Sequence, residues 1–316
     1  MSNLPRFISP PGQIVTTTVN CFQDRFLLKP SPRANALIVG VLAKAQAKYE
    51  VPIYAATYLS NHAHMLAWFR DAEQQAEFMQ FVNGNIAREL GRLHGWRGKF
   101  WDHRYSSIPV AADEASQVSA LNYLLEQGCK EGLVGRPQDW PGVHSADLIL
   151  ANPAPRGIWV DRTALYEASR RKGSAGKVRE VDFEEELELK IFPLPCWAHL
   201  LPQEVHQRAA ALVNAIETKT SAQHSHERTR PLGYRAILRQ NPHHRPEPKK
   251  KGAAPLVWAA SRQQRAKYVE AYRLFLEQYR CATEKLRQGN LSVAFPEGCF
   301  PPARPFVKIS GPARGP

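Results

Sequence analysis

Two small groups of residues have the types and spacing to do chemistry. His62 and His64 flank Ala63 in the run SNHAHMLAWF. On a β-strand alternate side chains share a face, so both imidazoles project the same way, roughly 7 Å apart at the backbone. Two ring nitrogens can then converge on one divalent ion while Ala63 turns to the core side. No Asp follows at the HxHxD spacing of hydrolase metal motifs. A plain structural histidine pair remains the other reading. Tyr123 and Gln127, in LNYLLEQGCKEGLV, form the second group. Four residues apart on a helix, a phenol and a carboxamide share a face, away from the stripe of Val118, Leu121 and Leu125. A half-buried aromatic beside a surface amide is the alternative there.

The elements that must carry these groups follow from local pattern. Ile14 to Val19 (IVTTTV) is β-branched and reads as a strand. Leu37, Val41, Ala45 and Tyr49 recur every four residues, a helical pattern interrupted only by Gly40. Val51 to Tyr58 and His62 to Phe69 read as two strands joined at Ser60-Asn61, a hairpin. A long helix is expected from Asp71 to His94, capped by Asp71 with Gln74 three residues on and buried through Phe78, Phe81, Ile86, Leu90 and Leu93. Arg104 to Val110 reads as a fourth strand, and Asp113-Glu114 opens a helix running to about Cys129. Short, partly hairpin-linked strands interleaved with helices predict an α+β fold, an antiparallel sheet with helices on one face, compatible with a ferredoxin-like arrangement.

Composition narrows the function classes. The chain has 316 residues, 43% of them hydrophobic and 22% charged, and no stretch approaches the roughly 20 apolar residues of a membrane helix. The first residues lack a signal-peptide pattern. The five cysteines are odd in number, far apart and without a CxxC, which argues against a zinc ribbon or a disulfide scaffold. A cytoplasmic location with no membrane contact is expected. The net charge of +13 points to a polyanionic partner. Residues 1–150 carry a net +1 and residues 151–316 a net +12.

That asymmetry suggests two parts, residues 1–148 and a basic, mostly helical and irregular extension over residues 149–316. In the extension, Glu184 to Phe192 leads into a strand, and Gln203 to Thr218 reads as helix. Residues 228–251 hold eight Lys or Arg against one Glu, a flexible or extended arm that includes Arg235, Arg239, Lys249, Lys250 and Lys251. Residues 261–288 form an amphipathic helix with Tyr268, Tyr272, Phe275 and Tyr279 along one side, read as packing rather than as a base-stacking platform. His224-Ser225-His226 repeats the HxH spacing without a strand to align it and is read as solvated, and His243-His244 is read as part of the arm.

In order, SNHAHML, GKFWDHRYSS and LNYLLEQGCKEGLV resemble the three signature blocks of the single-tyrosine HUH transposases, among them the REP-associated tyrosine transposases of bacteria. The resemblance covers about residues 5–146. It implies a ferredoxin-like fold with a five-stranded antiparallel sheet. It also implies that His62 and His64 are metal ligands, that Tyr123 is the nucleophile, that Gln127 completes the metal site, and that Arg104 contacts DNA. Where the family often has Asn-Pro, this chain has Gln127-Gly128. Its first strand lacks the family's His and Arg.

The implied chemistry is coherent. A divalent ion held by two imidazoles and an amide stabilises charge on a phosphodiester as a Lewis acid. Mixed nitrogen and oxygen donors suit Mg²⁺ or Mn²⁺. A tyrosine ester conserves the bond energy, so single-stranded or hairpin DNA would be cut and rejoined through a 5′-phosphotyrosine without ATP. The basic arm would add salt-dependent phosphate attraction. Members act as monomers or as dimers that share the tyrosine helix, so a homodimer is one expected assembly. Tyr105 is the second-choice nucleophile. The rival functions are a domesticated, non-catalytic DNA-binding protein and a metal-dependent hydrolase.

Overall fold

The β-branched run QIVTTTVN forms β1 (Gln13–Asn20) in the computed structural model, which describes residues 5, 7–8, 12–151, 153–172, 178–247 and 255–302. Next, α1 (Pro32–Tyr49) starts at Ser31, whose hydroxyl accepts the Ala34 N–H, with Pro32 at the first helical position. β2 (Ile53–Tyr58) and β3 (His62–Phe69) form the expected hairpin. α2 (Ala72–Leu93) is capped by Asp71, which accepts the Gln74 N–H at 2.7 Å, while the Gln74 side chain accepts the Arg70 N–H at 2.8 Å. These reciprocal bonds satisfy donors that the helix cannot. β4 (Ser106–Pro109) completes a four-stranded antiparallel sheet of order β2-β3-β1-β4. This is the ferredoxin-like βαββαβ arrangement.

Strand alternation divides the residues between two cores. Val15, Val19, Ala63, Met65, Ala67 and Phe69 face α1 and α2. Leu66 of β3, two residues beyond His64, faces the opposite way. There it packs with Leu121, Leu124 and Leu125 of α3 (Glu114–Leu125), Ala146 of α4 (Ser145–Leu150), and Val213 and Ile216 of α6 (Pro202–Glu227). The helix that bears Tyr123 therefore lies over the face to which His62 and His64 project.

The second half wraps this core. β5 (Arg156–Val160) pairs antiparallel with β6 (Glu184–Glu188), flanking α5 (Arg162–Lys172), and the pair lies on α1. A Cβ on Gly40 would stand 2.1 Å from the Ile158 carbonyl oxygen, and one on Gly157 would stand 2.2 Å from the Gly40 nitrogen. Gly40 thus sits mid-helix despite its entropic cost, because helix and strand backbones touch there. α7 (Tyr234–Leu238) falls in the basic segment. α8 (Arg262–Arg287) stacks Tyr268, Tyr272, Phe275 and Tyr279 in sequence and buries Phe275 on Phe7, centroids 4.6 Å apart. Single bridges from the second half cover both outer strands, Ile191 on Ile53 of β2 and Trp258 on Val110 just past β4. Covered edges do not invite further strands.

Several expectations are corrected. The implied fifth strand is absent from this sheet among the described residues. β4 ends at Pro109, which has no N–H for a ladder, and only the Trp258 bridge lies beyond it. The fourth strand spans Ser106–Pro109 rather than Arg104 to Val110. α3 stops at Leu125 instead of Cys129, because Gly128 takes φ +87° and turns the chain. Leu93, expected inside, is exposed at the fraying end of α2. α6 continues to Glu227 and so carries His224 and His226 on a helix. All five cysteines are free thiols. Among the described residues no helix is long and apolar enough to cross a membrane. Lys249, Lys250 and Lys251 lie outside the described residues.

Candidate active site

β3 begins at His62, and its pairing with β1 sets Asn20 opposite His62 and Thr18 opposite His64. The two imidazole rings stand edge-on, centroids 5.0 Å apart. Each has its Nδ1 engaged by a neighbouring oxygen, His62 with Asn61 Oδ1 and His64 with Thr18 Oγ1, both at 2.8 Å. Nε2 of each ring is left as the nitrogen able to coordinate. Outer hydrogen bonds to Nδ1 are what orient metal-binding histidines.

Across the face, Tyr123 occupies the last full turn of α3. Its ring meets His64 edge-on at 83°, centroids 5.2 Å apart. Gln127 arrives by the turn after α3, yet the turn keeps it at the helical offset, since Gln127 Nε2 donates to the Tyr123 carbonyl at 2.8 Å. Gln127 interacts through its side chain with both the His64 ring and the Tyr123 phenol. His144, fully buried, holds this turn. Its Nδ1 accepts the Ala146 N–H, so its proton sits on Nε2, which donates to the Gln127 carbonyl at 3.1 Å. Burial lowers the His144 pKa to about 4 and keeps the ring neutral.

The electrostatics favour a neutral pair of reactants. Burial, then coulombic repulsion from His62 and Lys130, holds His64 well below the ordinary histidine pKa, although hydrogen bonding to Gln127 opposes this. A neutral imidazole is the form that binds metal. Burial first and the Glu131 charge second raise the Tyr123 pKa, against hydrogen bonding by Gln127. The phenol is therefore a proton-bearing group at neutral pH. Glu131 Oε1 lies 3.5 Å from His62 Nε2, and Lys130 Nζ lies 5.2 Å from the Tyr123 ring centre. The turn after α3 thus brings one charge of each sign to the site.

The four residues His62, His64, Tyr123 and Gln127 come together from one chain. Arg104 does not join them. It lines a cavity of about 480 Å³ with Gln75, Met79, Trp101, Tyr105 and Tyr279, over α2 and α8. Tyr105 is buried in the core under α1 and α2, on the far face of the sheet from the histidines, which removes it as an alternative nucleophile. Arg235 and Arg239 are exposed on and just after α7, and this segment borders the site. Leu232 and Gly233 donate to the carbonyls of Gly132 and Leu133, in the turn that carries Gln127, and Gln240 accepts from Ser60 Oγ at 2.5 Å, two residues before His62.

Sequence reasoning missed Thr18, Asn61, Lys130, Glu131, His144 and Trp258. Correct β1–β3 register would have found Thr18. Nothing in the local run around Trp258 signals that it reaches the Tyr123 ring, centroids 5.0 Å apart.

The residues present fit a divalent ion. Among the described residues no three His, Cys, Asp or Glu side chains form a metal cluster. His62, His64 and the Gln127 carboxamide oxygen are groups that could hold it, two nitrogens and one oxygen.

No family model matches the chain, and no curated protein matches it. Among solved structures, it is similar to a REP-associated tyrosine transposase bound to a REP hairpin, at 16% identity and TM-score 0.40 over 49% of this chain and 89% of that one. A transposase-like protein from Deinococcus radiodurans R1 is similar at 13% identity and TM-score 0.28 over 40% of this chain and 98% of that one.

Proposed function

We propose that this protein is a transposase-like DNA strand transferase that cleaves and rejoins single-stranded or hairpin DNA through Tyr123. The observation that carries the reading is the meeting of three groups on one sheet face. The Tyr123 ring lies edge-on to His64, and the Gln127 carboxamide reaches both.

His62 Nε2, His64 Nε2 and Gln127 Oε1 would hold Mg²⁺ or Mn²⁺. When bound, such an ion neutralises charge on the scissile phosphate and polarises its phosphorus toward attack. Thr18 and Asn61 keep both rings aimed. Tyr123 passes its proton to solvent, which returns one to the leaving oxygen, and attacks the phosphorus. The Tyr123 oxygen–phosphorus bond forms as the bond to the 3′-oxygen breaks, and that oxygen leaves as a free hydroxyl after taking up a proton. Attack by another 3′-hydroxyl reverses the step and rejoins the strand, so the ester energy is conserved. Arg235 and Arg239, beside both loops that bear the site, attract the flanking phosphates, and Lys249, Lys250 and Lys251 extend that charge in sequence. Because all four site residues belong to one chain, the chemistry does not need a homodimer. The free thiols suit a cytoplasmic enzyme.

The test is incubation with Mn²⁺ and hairpin-bearing single-stranded oligonucleotides. Wild-type protein forms a denaturant-stable protein–DNA adduct. Tyr123→Phe forms none and still binds DNA. Binding without any wild-type adduct would instead favour the non-catalytic DNA-binding protein, and cleaved DNA with no protein attached would favour a hydrolase.

A further inference from the structure

Trp258 belongs to the basic second half, more than a hundred residues from Tyr123 in sequence, yet its indole lies against the Tyr123 ring at 46°, centroids 5.0 Å apart. Its backbone is fixed from two sides. The Trp258 N–H donates to the Pro109 carbonyl at 2.8 Å, and the Trp258 carbonyl accepts the Ala111 N–H at 2.9 Å. Two residues on, the Ala260 N–H donates to Ser116 Oγ at 2.8 Å, and Ser116 is itself bonded to the α3 cap Asp113. The segment is tied both to the end of β4 and to the first turn of the tyrosine helix. Val257, 3% exposed, anchors it in the core.

Among the described residues the indole N–H is buried without a partner. An orphaned buried donor costs about 1–3 kcal/mol, so the indole nitrogen adds nothing to how the segment is held. What the indole does supply is a broad flat wall. Tyr123 is then bounded by His64 on one side, Trp258 on another and Lys130 over its face.

Resting on the function proposed above, we infer that Trp258 is a positioning residue: the extension contributes it in cis to hold the Tyr123 ring at the angle from which its oxygen meets the phosphate. A flat ring at this place is the requirement, and the indole nitrogen is dispensable. Misplacing a reacting group by about 1 Å can cost 10²-fold.

Trp258→Ala and Trp258→Phe are compared with wild type for adduct formation, and in 3-fluorotyrosine-labelled full-length protein by fluorine NMR, with Tyr123→Phe identifying the Tyr123 resonance among the ten tyrosines. Trp258→Ala is expected to lower kcat about 10- to 100-fold with KM within about threefold, and to shift and broaden the Tyr123 resonance. Trp258→Phe is expected to stay within about threefold of wild type in kcat, with a narrow resonance. Should the alanine variant fail to fold, Trp258→Leu keeps a larger apolar side chain without a flat face and is expected to behave as described for alanine. Unchanged or faster adduct formation in Trp258→Ala, equal loss in the phenylalanine variant, or an unmoved fluorine signal would overturn the assignment. A wild type that forms no adduct defeats the proposed function, while the fluorine signal still decides whether Trp258 seats the ring.

Discussion

Thr18 and His64 face each other across the β1–β3 pairing, with the threonine hydroxyl 2.8 Å from His64 Nδ1. This contact turns a buried histidine into an aimed one. A core histidine free to rotate would present either nitrogen to the site. Thr18→Val keeps the shape and removes the hydroxyl, so Mn²⁺ affinity measured calorimetrically should fall about tenfold, the typical effect of losing an outer-shell partner. Thr18→Ser should retain most of it. Equal affinity in wild type and Thr18→Val would mean that Nδ1 needs no orientation.

The contact between Gly40 and Gly157 sets the seam between the two halves of the chain. A β-carbon at Gly40 meets backbone, which cannot swing aside as a side chain can. Gly40→Ala, favourable by helix propensity alone, should therefore destabilise the protein by at least ~1–3 kcal/mol, the usual cost of overpacking. Urea unfolding measures it. A neutral or stabilising effect would show that β5 does not lie on α1 in solution.

His94, at the C-terminal end of α2, has its pKa lowered to about 4 by burial, with help from the positive neighbours Lys29 and His243. Above the ordinary value near 6.5 the ring is neutral in both folded and unfolded chains and contributes no pH dependence. Between about 6.5 and 4 the unfolded chain takes up a proton that the folded one refuses, so stability falls as pH falls. His94→Gln should flatten that part of the curve. Parallel curves for the two proteins over that range would contradict the depressed value.

Arg235 and Arg239 are exposed beside the loops that carry the site. If both touch phosphates, replacing both with Ala should reduce the steepness of log K against log salt by about 1 to 2, with a matching loss of affinity for unrelated sequences. An unchanged slope would move the DNA path elsewhere, with the cavity beside Arg104 the next place to examine.

The parts of this structure legible in the sequence are those governed by local rules. The strand through His62 and His64, the Asp71–Gln74 cap and the hydrophobic face of α8 follow from alternation, capping and four-residue spacing. The juxtaposition of Tyr123 with Gln127 was also legible, although Gln127 reaches its place by a turn closed with Gly128 rather than along a helix. What was not legible depends on contacts between distant segments. Gly40 reads as a flaw in a helix until Gly157 is seen against it. Trp258 and Thr18 gain meaning only from the strands they pair with. Arg104, adjacent in sequence to a strand of the sheet, lines the cavity over α2, because the chain before β4 is not yet in strand alternation.

Mass spectrometry of the proteolysed protein–DNA adduct tests the central claim most directly, because it reads out which side chain carries the nucleotide. A 5′-phosphate residue is expected on the peptide containing Tyr123 and on no other. Attachment to Tyr105 or to another residue, with the Tyr123 peptide unmodified, would contradict the account.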